Sequence, residues 1–225
     1  MSQTIVFETT NEEEILSILE KEFQKLPQDG IIFLNAKHNF FPVLKKFQDK
    51  YWDNFSWNPL ANGIEVWGGE LKKIQKGSLS NDSIMLFMGA DHFRCDELYA
   101  ECENALSSGD TIVIQEMFRA FKTSILRHFV MEEEILFPVF EDLTGMRQGP
   151  TMAMRMEHEQ MKNAVTDMET SLQKKDFKRA GAVGEMLLIL MQQHNVKEEG
   201  ILYPMITNHT LDMHEELLKQ LQLAV

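Results

Sequence analysis

The sequence predicts a small α+β domain at residues 1–76, followed by an all-α, up-down-up-down four-helix bundle at residues 83–209. Three observations lead to this prediction. Before residue 77, short apolar runs typical of strands alternate with helical patterns. After residue 83, only long helical patterns occur, and the short loops between them place neighbouring helices antiparallel. In this second region one pattern of histidines and carboxylates occurs twice, which indicates a helical hairpin used twice.

The first domain is predicted to have the element order β-α-β-α-β-β. Its first helix follows Thr10, which forms the pattern of a capping box with Glu13. The second helix follows Pro42. The last two strands are predicted to form a hairpin across Asn62 and Gly63. The four strands are predicted at residues 3–7, 31–34, 55–57 and 65–67.

A polar segment at residues 77–82 is predicted to link the two domains. In the bundle, Asp110 is predicted to cap the second helix, and Pro138 to bend that helix near its end. A short amphipathic helix is predicted within residues 210–225. The four bundle helices are predicted at residues 83–107, 110–140, 151–173 and 176–204.

An eleven-residue motif occurs twice in the bundle, at residues 128–138 and 194–204. Each copy begins with His-x-x-x-Glu-Glu and ends with Leu-Phe-Pro or Leu-Tyr-Pro. The same offset of 66 residues relates Asp91-His92 to Glu157-His158. A histidine and a carboxylate four residues apart lie on one face of a helix. Two such faces turned toward each other would surround a metal pair with nitrogen and oxygen ligands.

Polar side chains at matched positions on four bundle helices need a common partner. Burying a histidine or a carboxylate alone in an apolar core costs several kcal/mol. A pair of metal ions supplies that partner, with two histidines on each ion and both glutamates bridging the ions. The predicted ligands are His92, His128, Glu132, His158, His194 and Glu198.

Helical geometry favours the first glutamate of each Glu-Glu pair as the ligand. The residue four positions after the histidine lies about 40° from it around the helix, and the residue five positions after lies about 140° away. Glu132 and Glu198 are therefore favoured over Glu133 and Glu199, which are predicted to support the ligands or face solvent. Either second glutamate remains an alternative ligand.

Three other acidic residues lie near the predicted ligands in sequence. Asp91 and Glu157 directly precede histidines and are predicted to point elsewhere. Asp96, four residues after His92, is either an extra ligand or an acceptor that supports one. Imidazole and carboxylate donors without thiolate suit iron or manganese, and zinc is a further alternative. The order His-x-x-x-Glu differs from the Glu-x-x-His order of ferritin-like di-iron sites.

The composition excludes some classes of partner. The net charge of −13 argues against nucleic acid and against an anionic membrane surface. No apolar run approaches the ~18 residues that a membrane span needs, and no secretory signal is visible. Cys95 and Cys102 would lie about 10 Å apart on one helix, too far for a disulfide. The protein is therefore predicted to be cytoplasmic, and its oligomeric state is not predicted.

In this motif pattern, residues 83–206 resemble the hemerythrin-like (HHE cation-binding) family of four-helix bundles. The resemblance includes Gly149-Pro150 and the Leu-Phe-Pro and Leu-Tyr-Pro helix ends. It implies a non-haem di-iron centre, bridged by carboxylates, with the six residues named above as iron ligands. Oxygen-carrying hemerythrins have one more histidine a turn after the third-helix ligand, where this chain has Lys162.

A set of four histidines is similar to that of bacterial di-iron proteins that repair iron centres. This similarity implies a role in nitrosative or oxidative stress, either handling nitric oxide or repairing and supplying iron to iron–sulfur centres. Such proteins carry paired cysteines near the N-terminus, whereas this chain has no cysteine before Cys95. The alternative is a module that binds or senses oxygen, nitric oxide or iron without turnover. The expected partners are a small diatomic or peroxidic ligand and, for repair, iron–sulfur proteins.

The N-terminal region is similar to a small domain that is often joined to hemerythrin-like domains and is related in fold to sulfur-carrier proteins. The similarity rests on Phe-Ser-Trp at residues 55–57 and Glu-Val-Trp at residues 65–67. The cysteine that sulfur carriers require is missing. Sulfur transfer is therefore not expected of this region.

Overall fold

The structure is a computed structural model that describes residues 2–62 and 66–224, and it divides into two compact units. One unit comprises the described parts of Met1–Asp82 and Leu218–Val225, and the other comprises Ser83–Leu217. The first unit contains a sheet and helices, and the second contains helices. The predicted fold class, α+β followed by a helical bundle, is confirmed.

The α+β unit is built on a sheet of four strands. Its strands are β1 (Ser2–Phe7), β2 (Ile31–Ala36), β3 (Phe55–Asn62) and β4 (Trp67–Lys73), and its main helices are α1 (Glu12–Lys25) and α2 (Phe41–Tyr51). The strand order is β1-β2-β4-β3. β1 and β2 are parallel, so α1 serves as the crossover that a parallel pair requires, and the other two pairs are antiparallel.

Apolar side chains from the sheet and from both helices form one core in this unit. Leu19 and Phe23 of α1 are fully buried there, together with Phe47 of α2. Trp57 of β3 belongs to the same cluster. The apolar spacing of α1 and α2 in the sequence thus corresponds to one buried face on each helix.

One cap prediction in this unit is wrong. α1 begins after Asn11, whose Oδ1 accepts hydrogen bonds from the backbone N–H groups of Glu13 at 3.0 Å and Glu14 at 3.3 Å. Asn11 stands one residue nearer to the first helical turn than Thr10, so it satisfies the free N–H groups of that turn. The capping box between Thr10 and Glu13 therefore does not form.

The predicted hairpin strands pair antiparallel, but both differ from their predicted bounds: β3 continues from residue 57 to Asn62, and β4 begins at Trp67, the last residue of the predicted strand. β4 continues to Lys73 because the glycines after Trp67 permit close backbone approach. A Cβ atom on Gly68 would lie 2.6 Å from the Leu34 carbonyl oxygen. The predicted turn at Gly63 and the predicted start of the strand at residue 65 lie outside the described residues.

Two segments outside the core elements also form helix. Residues 77–82, predicted to be a linker, contain the one-turn helix α3 (Ser78–Asn81). The predicted C-terminal amphipathic helix appears as α10 (His214–Gln222). The end of α10 belongs to the α+β unit, where the side-chain amide of Gln222 donates to the Trp52 carbonyl at 2.9 Å. Leu223 joins the apolar core of that unit.

The bundle consists of two helical hairpins. Its helices are α4 (Ile84–Ser108), α5 (Thr111–Val130), α6 (Phe137–Thr144), α7 (Pro150–Gln173), α8 (Phe177–Lys197) and α9 (Tyr203–His209). α4 packs on α5 and α7 packs on α8. Asp110 caps α5, as predicted. None of the helices in the two described ranges is long and apolar enough to cross a membrane.

A π-helical segment joins α5 to α6, and another joins α8 to α9. These segments are Met131–Leu136 and Glu198–Leu202. In each, the N–H before a proline donates to a carbonyl five residues earlier: Phe137 to Glu132, and Tyr203 to Glu198. Proline has no N–H and its ring crowds the preceding turn, which the wider π turn accommodates. The helical chain therefore passes Pro138, as predicted, and ends at Thr144 rather than at residue 140.

Candidate metal centre

The six predicted ligands lie together in the interior of the bundle. Each histidine comes from a different helix, and each glutamate comes from one of the two π-helical segments. None of the six exposes more than 3% of its surface. The helices α4, α5, α7 and α8 supply His92, His128, His158 and His194, and the π segments supply Glu132 and Glu198.

The candidate ligand atoms form two groups that share one residue. Within each group, all ligand atoms lie within 4.8 Å of one another. The first group contains Glu132, His158, His194 and Glu198. The second contains His92, His128 and Glu198. Two neighbouring groups with a shared carboxylate fit the pair of metal positions predicted from the sequence.

Each glutamate lies between a histidine of the first hairpin and a histidine of the second. Glu198 Oε2 is 3.1 Å from His194 Nε2 and 3.2 Å from His92 Nε2. Glu132 Oε2 lies 3.1 Å and 3.5 Å from the Nε2 atoms of His158 and His128. Both carboxylates are thus placed where they can span two metal positions.

In each of the four histidines of the site, Nδ1, the ring nitrogen opposite Nε2, contacts a carboxylate. Because an ionised carboxylate only accepts hydrogen bonds, each Nδ1 atom donates, and in the neutral ring the Nε2 atom turns its lone pair to the interior. Histidines that ligate metals are held in this way. The four Nδ1–carboxylate distances are 2.8 Å for His92–Glu199, 2.9 Å for His128–Asp91, 2.7 Å for His158–Glu133 and 3.0 Å for His194–Glu157.

Two of these outer carboxylates correct a prediction. Asp91 and Glu157 were predicted to point elsewhere, but each contacts the histidine on the partner helix of its own hairpin. Each precedes an inward histidine by one residue, and is therefore rotated by about 100° toward a neighbouring helix. Glu133 and Glu199 connect the two hairpins instead, and their carboxylates contact outer ring nitrogens rather than the Nε2 atoms.

Cys95 and Asp96, next to the site on α4, do not add ligands to these two groups. Cys95 forms a third group with Asp91 and His128. Its sulfur lies 3.0 Å from Ser124 Oγ, and burial raises the pKa of the thiol to about 12, which keeps it protonated. Asp96 joins no such group among the described residues, and burial raises the pKa of its carboxyl.

Burial and hydrogen bonding act in opposite directions on the titratable groups of the site. Burial lowers the pKa of His92, but hydrogen bonds to Glu198 and Glu199 outweigh it and raise the pKa to about 9. Burial likewise lowers the pKa of His158, but the carboxylates of Glu132 and Glu133 outweigh it and raise that pKa to about 9. Burial raises the pKa of Glu198, and hydrogen bonds from histidines hold it well below its usual range. In metal-free protein, protons therefore occupy the role that a cation would take.

The polar atoms that remain unsatisfied fit a cation. Glu132 Oε2 and Glu198 Oε1 are buried and accept no hydrogen bond from any described residue. His158 Nε2 and His194 Nε2 face each other at 3.1 Å, where two lone pairs repel unless a proton or a cation lies between them. A cation between these atoms satisfies all of them, whereas an uncompensated set costs several kcal/mol. The residues present therefore fit a metal site.

A small cavity adjoins the site. Its volume of about 10 Å³ is roughly what one water molecule requires. Three of the site histidines and several apolar side chains line it, and its lining includes His92, His128, His194, Ile125, Phe129, Met161 and Met191. A ligand of the size of one water molecule fits this space.

Tyr203 lies at the centre of the site although it was not among the predicted residues. Its hydroxyl donates to Glu132 Oε1 at 2.7 Å and lies 3.0 Å from Glu198 Oε2. On a regular α-helix, a residue five positions after Glu198 would lie about 140° away around the axis. The π turn between Glu198 and Tyr203 removes this separation. The signal in the sequence was Pro204, which follows directly and distorts the helix.

The fold and the site define a metal-binding four-helix bundle. The family model described as the hemerythrin HHE cation binding domain matches residues 86–206, more than half of the chain. The protein belongs to this hemerythrin HHE cation-binding family, which confirms the resemblance inferred from the sequence. No curated protein and no solved structure matches the chain. The likeness of the N-terminal unit to sulfur carriers stays a prediction.

Proposed function

We propose that the bundle binds two non-haem iron ions and acts in the response to nitrosative or oxidative stress. Glu132 and Glu198 would bridge the ions, and each ion would take two histidines. The protein would handle nitric oxide, or repair and supply iron to damaged iron–sulfur centres. The observation that carries this proposal is the set of four inward Nε2 atoms, each held by a carboxylate on the opposite ring nitrogen.

The donor set supports iron. Nitrogen and oxygen donors without thiolate suit iron or manganese, whereas structural zinc sites often contain cysteine. The nearest cysteine, Cys95, has a pKa raised to about 12 by burial and stays a thiol. Two buried carboxylates between the histidine pairs supply negative charge that stabilises a trivalent ion. Manganese and zinc remain the alternatives that metal analysis would distinguish.

Lys162 supports a site with four histidines. Its Nζ lies 3.0 Å from both carboxylate oxygens of Glu133, so the ammonium group contacts the outer carboxylate of His158 rather than the Nε2 atoms. The position that carries a further histidine in oxygen carriers therefore supplies a positive charge to one of the outer carboxylates. One ligand fewer leaves a coordination position open to an external ligand.

The surrounding side chains orient the ligands and limit access. The outer carboxylates hold each imidazole in one tautomer and one orientation. Phe129 stacks on His158 with ring centroids 4.2 Å apart, and Met161 and Met191 line the cavity. Bound iron would supply one-electron redox chemistry and an open coordination position. The apolar walls would exclude bulk water from a small ligand bound there.

A binding or sensing module is the second candidate. The observation that favours it is the scarcity of reactive groups beside the cavity. The Cys95 thiol there stays protonated, and no cysteine precedes it in the chain. Such a module would bind oxygen, nitric oxide or iron reversibly and would need no thiol chemistry.

Metal analysis of protein from iron-supplemented cells tests the proposal, with optical spectra before and after nitric oxide and oxygen. We expect about two irons per chain, a nitrosyl spectrum, and loss of iron to an apo iron–sulfur acceptor. Stable and reversible oxygen bands without iron transfer would favour the binding module. Absence of iron in the purified protein would contradict both.

A matched pair of histidine variants controls this measurement. His194→Ala removes an Nε2 atom from the site, and we expect it to lower the iron content by about one ion per chain. His209→Ala removes an exposed histidine on α9 whose ring contacts the Met205 carbonyl, and the iron content should not change. Equal iron content in both variants would overturn the site assignment.

A further inference from the structure

The two halves of the bundle differ in the aromatic residue that follows each π-helical segment. The two π-helical segments are followed at equivalent positions by Phe137 and Tyr203, 66 residues apart. Phe137 stacks against His158 with ring centroids 6.0 Å apart. Tyr203 stacks against His92 at 5.5 Å and adds a hydroxyl to the interior. The repeat thus supplies the same aromatic wall twice, but only the second copy carries an oxygen atom.

The hydroxyl of Tyr203 stands among the candidate ligand atoms of the second group. Its oxygen lies 3.1 Å from His92 Nε2, 3.2 Å from His128 Nε2 and 3.0 Å from Glu198 Oε2. Neighbouring ligands at right angles around a cation with bonds of about 2.1 Å lie about 3 Å apart. The phenol oxygen is therefore placed as a further vertex of that ligand set.

Hydrogen bonding alone does not satisfy these contacts. A phenol has one hydrogen, and its shortest contact, 2.7 Å to Glu132 Oε1, uses it. Once a cation replaces the protons of the site, Glu198 Oε2 still only accepts, and the Nε2 atoms of His92 and His128 present lone pairs because their Nδ1 atoms donate to carboxylates. The phenol oxygen thus faces three further acceptors without a hydrogen to share.

We propose that Tyr203 is a metal ligand that makes the two metal positions chemically unlike. This proposal rests on the proposed function for the presence of iron. On metal binding, the phenol O–H bond breaks, an oxygen–metal bond forms, and the proton leaves to solvent without any change in oxidation state. One position then has histidine, carboxylate and phenolate donors, and the other has histidine and carboxylate donors only.

The optical spectrum of the iron-loaded full-length protein tests this proposal. We expect the visible charge-transfer absorption of an iron(III) phenolate in the native protein and its loss in Tyr203→Phe. Phenylalanine at the equivalent position 137 shows that this change suits the local packing. Tyr99→Phe is the matched control, because Tyr99 lies in the same bundle against Phe121 and should leave the absorption unchanged.

A second measurement uses no substitution. Resonance Raman spectra of protein with ring-deuterated tyrosine should shift the phenolate ring modes if a tyrosine binds iron. Two irons per chain without the absorption, or an absorption that survives Tyr203→Phe, would overturn the ligand proposal and leave the proposed function standing.

Zinc titration separates failure of the iron assignment from failure of the ligand. If iron does not bind, addition of Zn²⁺ should still produce the ultraviolet difference spectrum of a tyrosinate, and Tyr203→Phe should abolish it. A tyrosinate signal without iron binding would contradict the proposed function only. Zn²⁺ binding without that signal, or no cation binding at all, would overturn the ligand proposal.

Discussion

The first and second hairpins of the bundle supply matching sets of candidate ligands but surround them differently. Each hairpin contributes two histidines, one inner glutamate and two outer carboxylates. In the first hairpin, Asp91 is buried and contacts the guanidinium groups of Arg94 and Arg127. In the second, the equivalent Glu157 has 28% of its side chain exposed and pairs with Lys197 at the surface. The carboxylate that contacts the Nδ1 atom of the second histidine is thus buried in the first hairpin and solvated in the second.

The buried cluster on the first side consists of charges that depend on one another. Burial lowers the pKa of Arg127 to about 10, and Asp91 opposes this shift. Burial raises the pKa of Asp91, but Arg94, His128 and Arg127 hold it far below its usual range. The positions equivalent to the two arginines in the second hairpin are Gln160 and Gln193. Matching sets of candidate ligands are thus held by a buried ion cluster on one side and by solvated ion pairs on the other.

Removing the central carboxylate on each side should show the largest difference. Asp91→Ala leaves Arg127 buried without this carboxylate, so we expect the free energy of unfolding to fall by about 3–5 kcal/mol. Glu157→Ala breaks a solvated pair and should cost about 1 kcal/mol. Urea denaturation of the metal-free protein at neutral pH measures both. Equal losses would show that the two sides do not differ as the structure indicates.

Both hairpins should contribute to the pH dependence of the stability of the metal-free protein. His92 and His158 have pKa values raised from 6.5 to about 9 by their carboxylate partners, against burial. A raised pKa stabilises the folded state below 6.5, and this contribution is lost as the pH rises through about 9. We expect the melting temperature of the metal-free protein to fall between pH 7 and pH 9. A constant melting temperature over this range would contradict the protonated site.

The outer carboxylates should affect metal affinity more than other acidic residues of the same helices. Loss of such a partner typically lowers metal affinity by about 10–100-fold. We therefore expect Glu157→Gln to weaken cation binding in a calorimetric titration, with a change in this range. Glu185→Gln, an exposed residue on α8, is the control and should bind as the native protein does. If Glu157→Gln binds the cation as tightly as the native protein, the outer carboxylates do not contribute to metal affinity.

The smallest expected changes in stability come from replacing Lys162 and Asp96, which occupy equivalent positions in the two hairpins, and these changes should have opposite signs. Lys162 pairs with Glu133 at the edge of the site, so Lys162→Met should lower stability by about 1 kcal/mol or less. Asp96, at the equivalent position, has a buried Oδ1 without a hydrogen bond from any described residue. Asp96→Asn removes a poorly solvated charge and should raise stability slightly. Thermal unfolding measures both, and a large loss in Asp96→Asn would identify a partner for that carboxylate.

Helical periodicity and spacing in the sequence were enough to predict much of the bundle. The apolar pattern predicted the helices, and Asp110 marked the beginning of α5. The spacing of His128 and Glu132 predicted one common face, because residues four apart always share one on an α-helix. The same reasoning applies to His194 and Glu198. These predictions succeeded because they depend on geometry within a single helix.

Other features required the packing of several elements. The π turns place Tyr203 beside Glu198, against the angle that a regular helix gives. Asp91 and Glu157 reach the site because the neighbouring helix brings a histidine to each of them. The capping residue Asn11 also depended on where the first helical turn begins.

The repeat with an offset of 66 residues thus specified which candidate ligand types the bundle contains and on which helix faces they lie. The tertiary structure decided which carboxylate holds each histidine, that Tyr203 enters the site, and that Arg127 is buried beside Asp91. The physical reason is the range of the interactions. Helix geometry fixes positions within one turn, whereas contacts between helices depend on packing and on where the backbone departs from the regular α-helix.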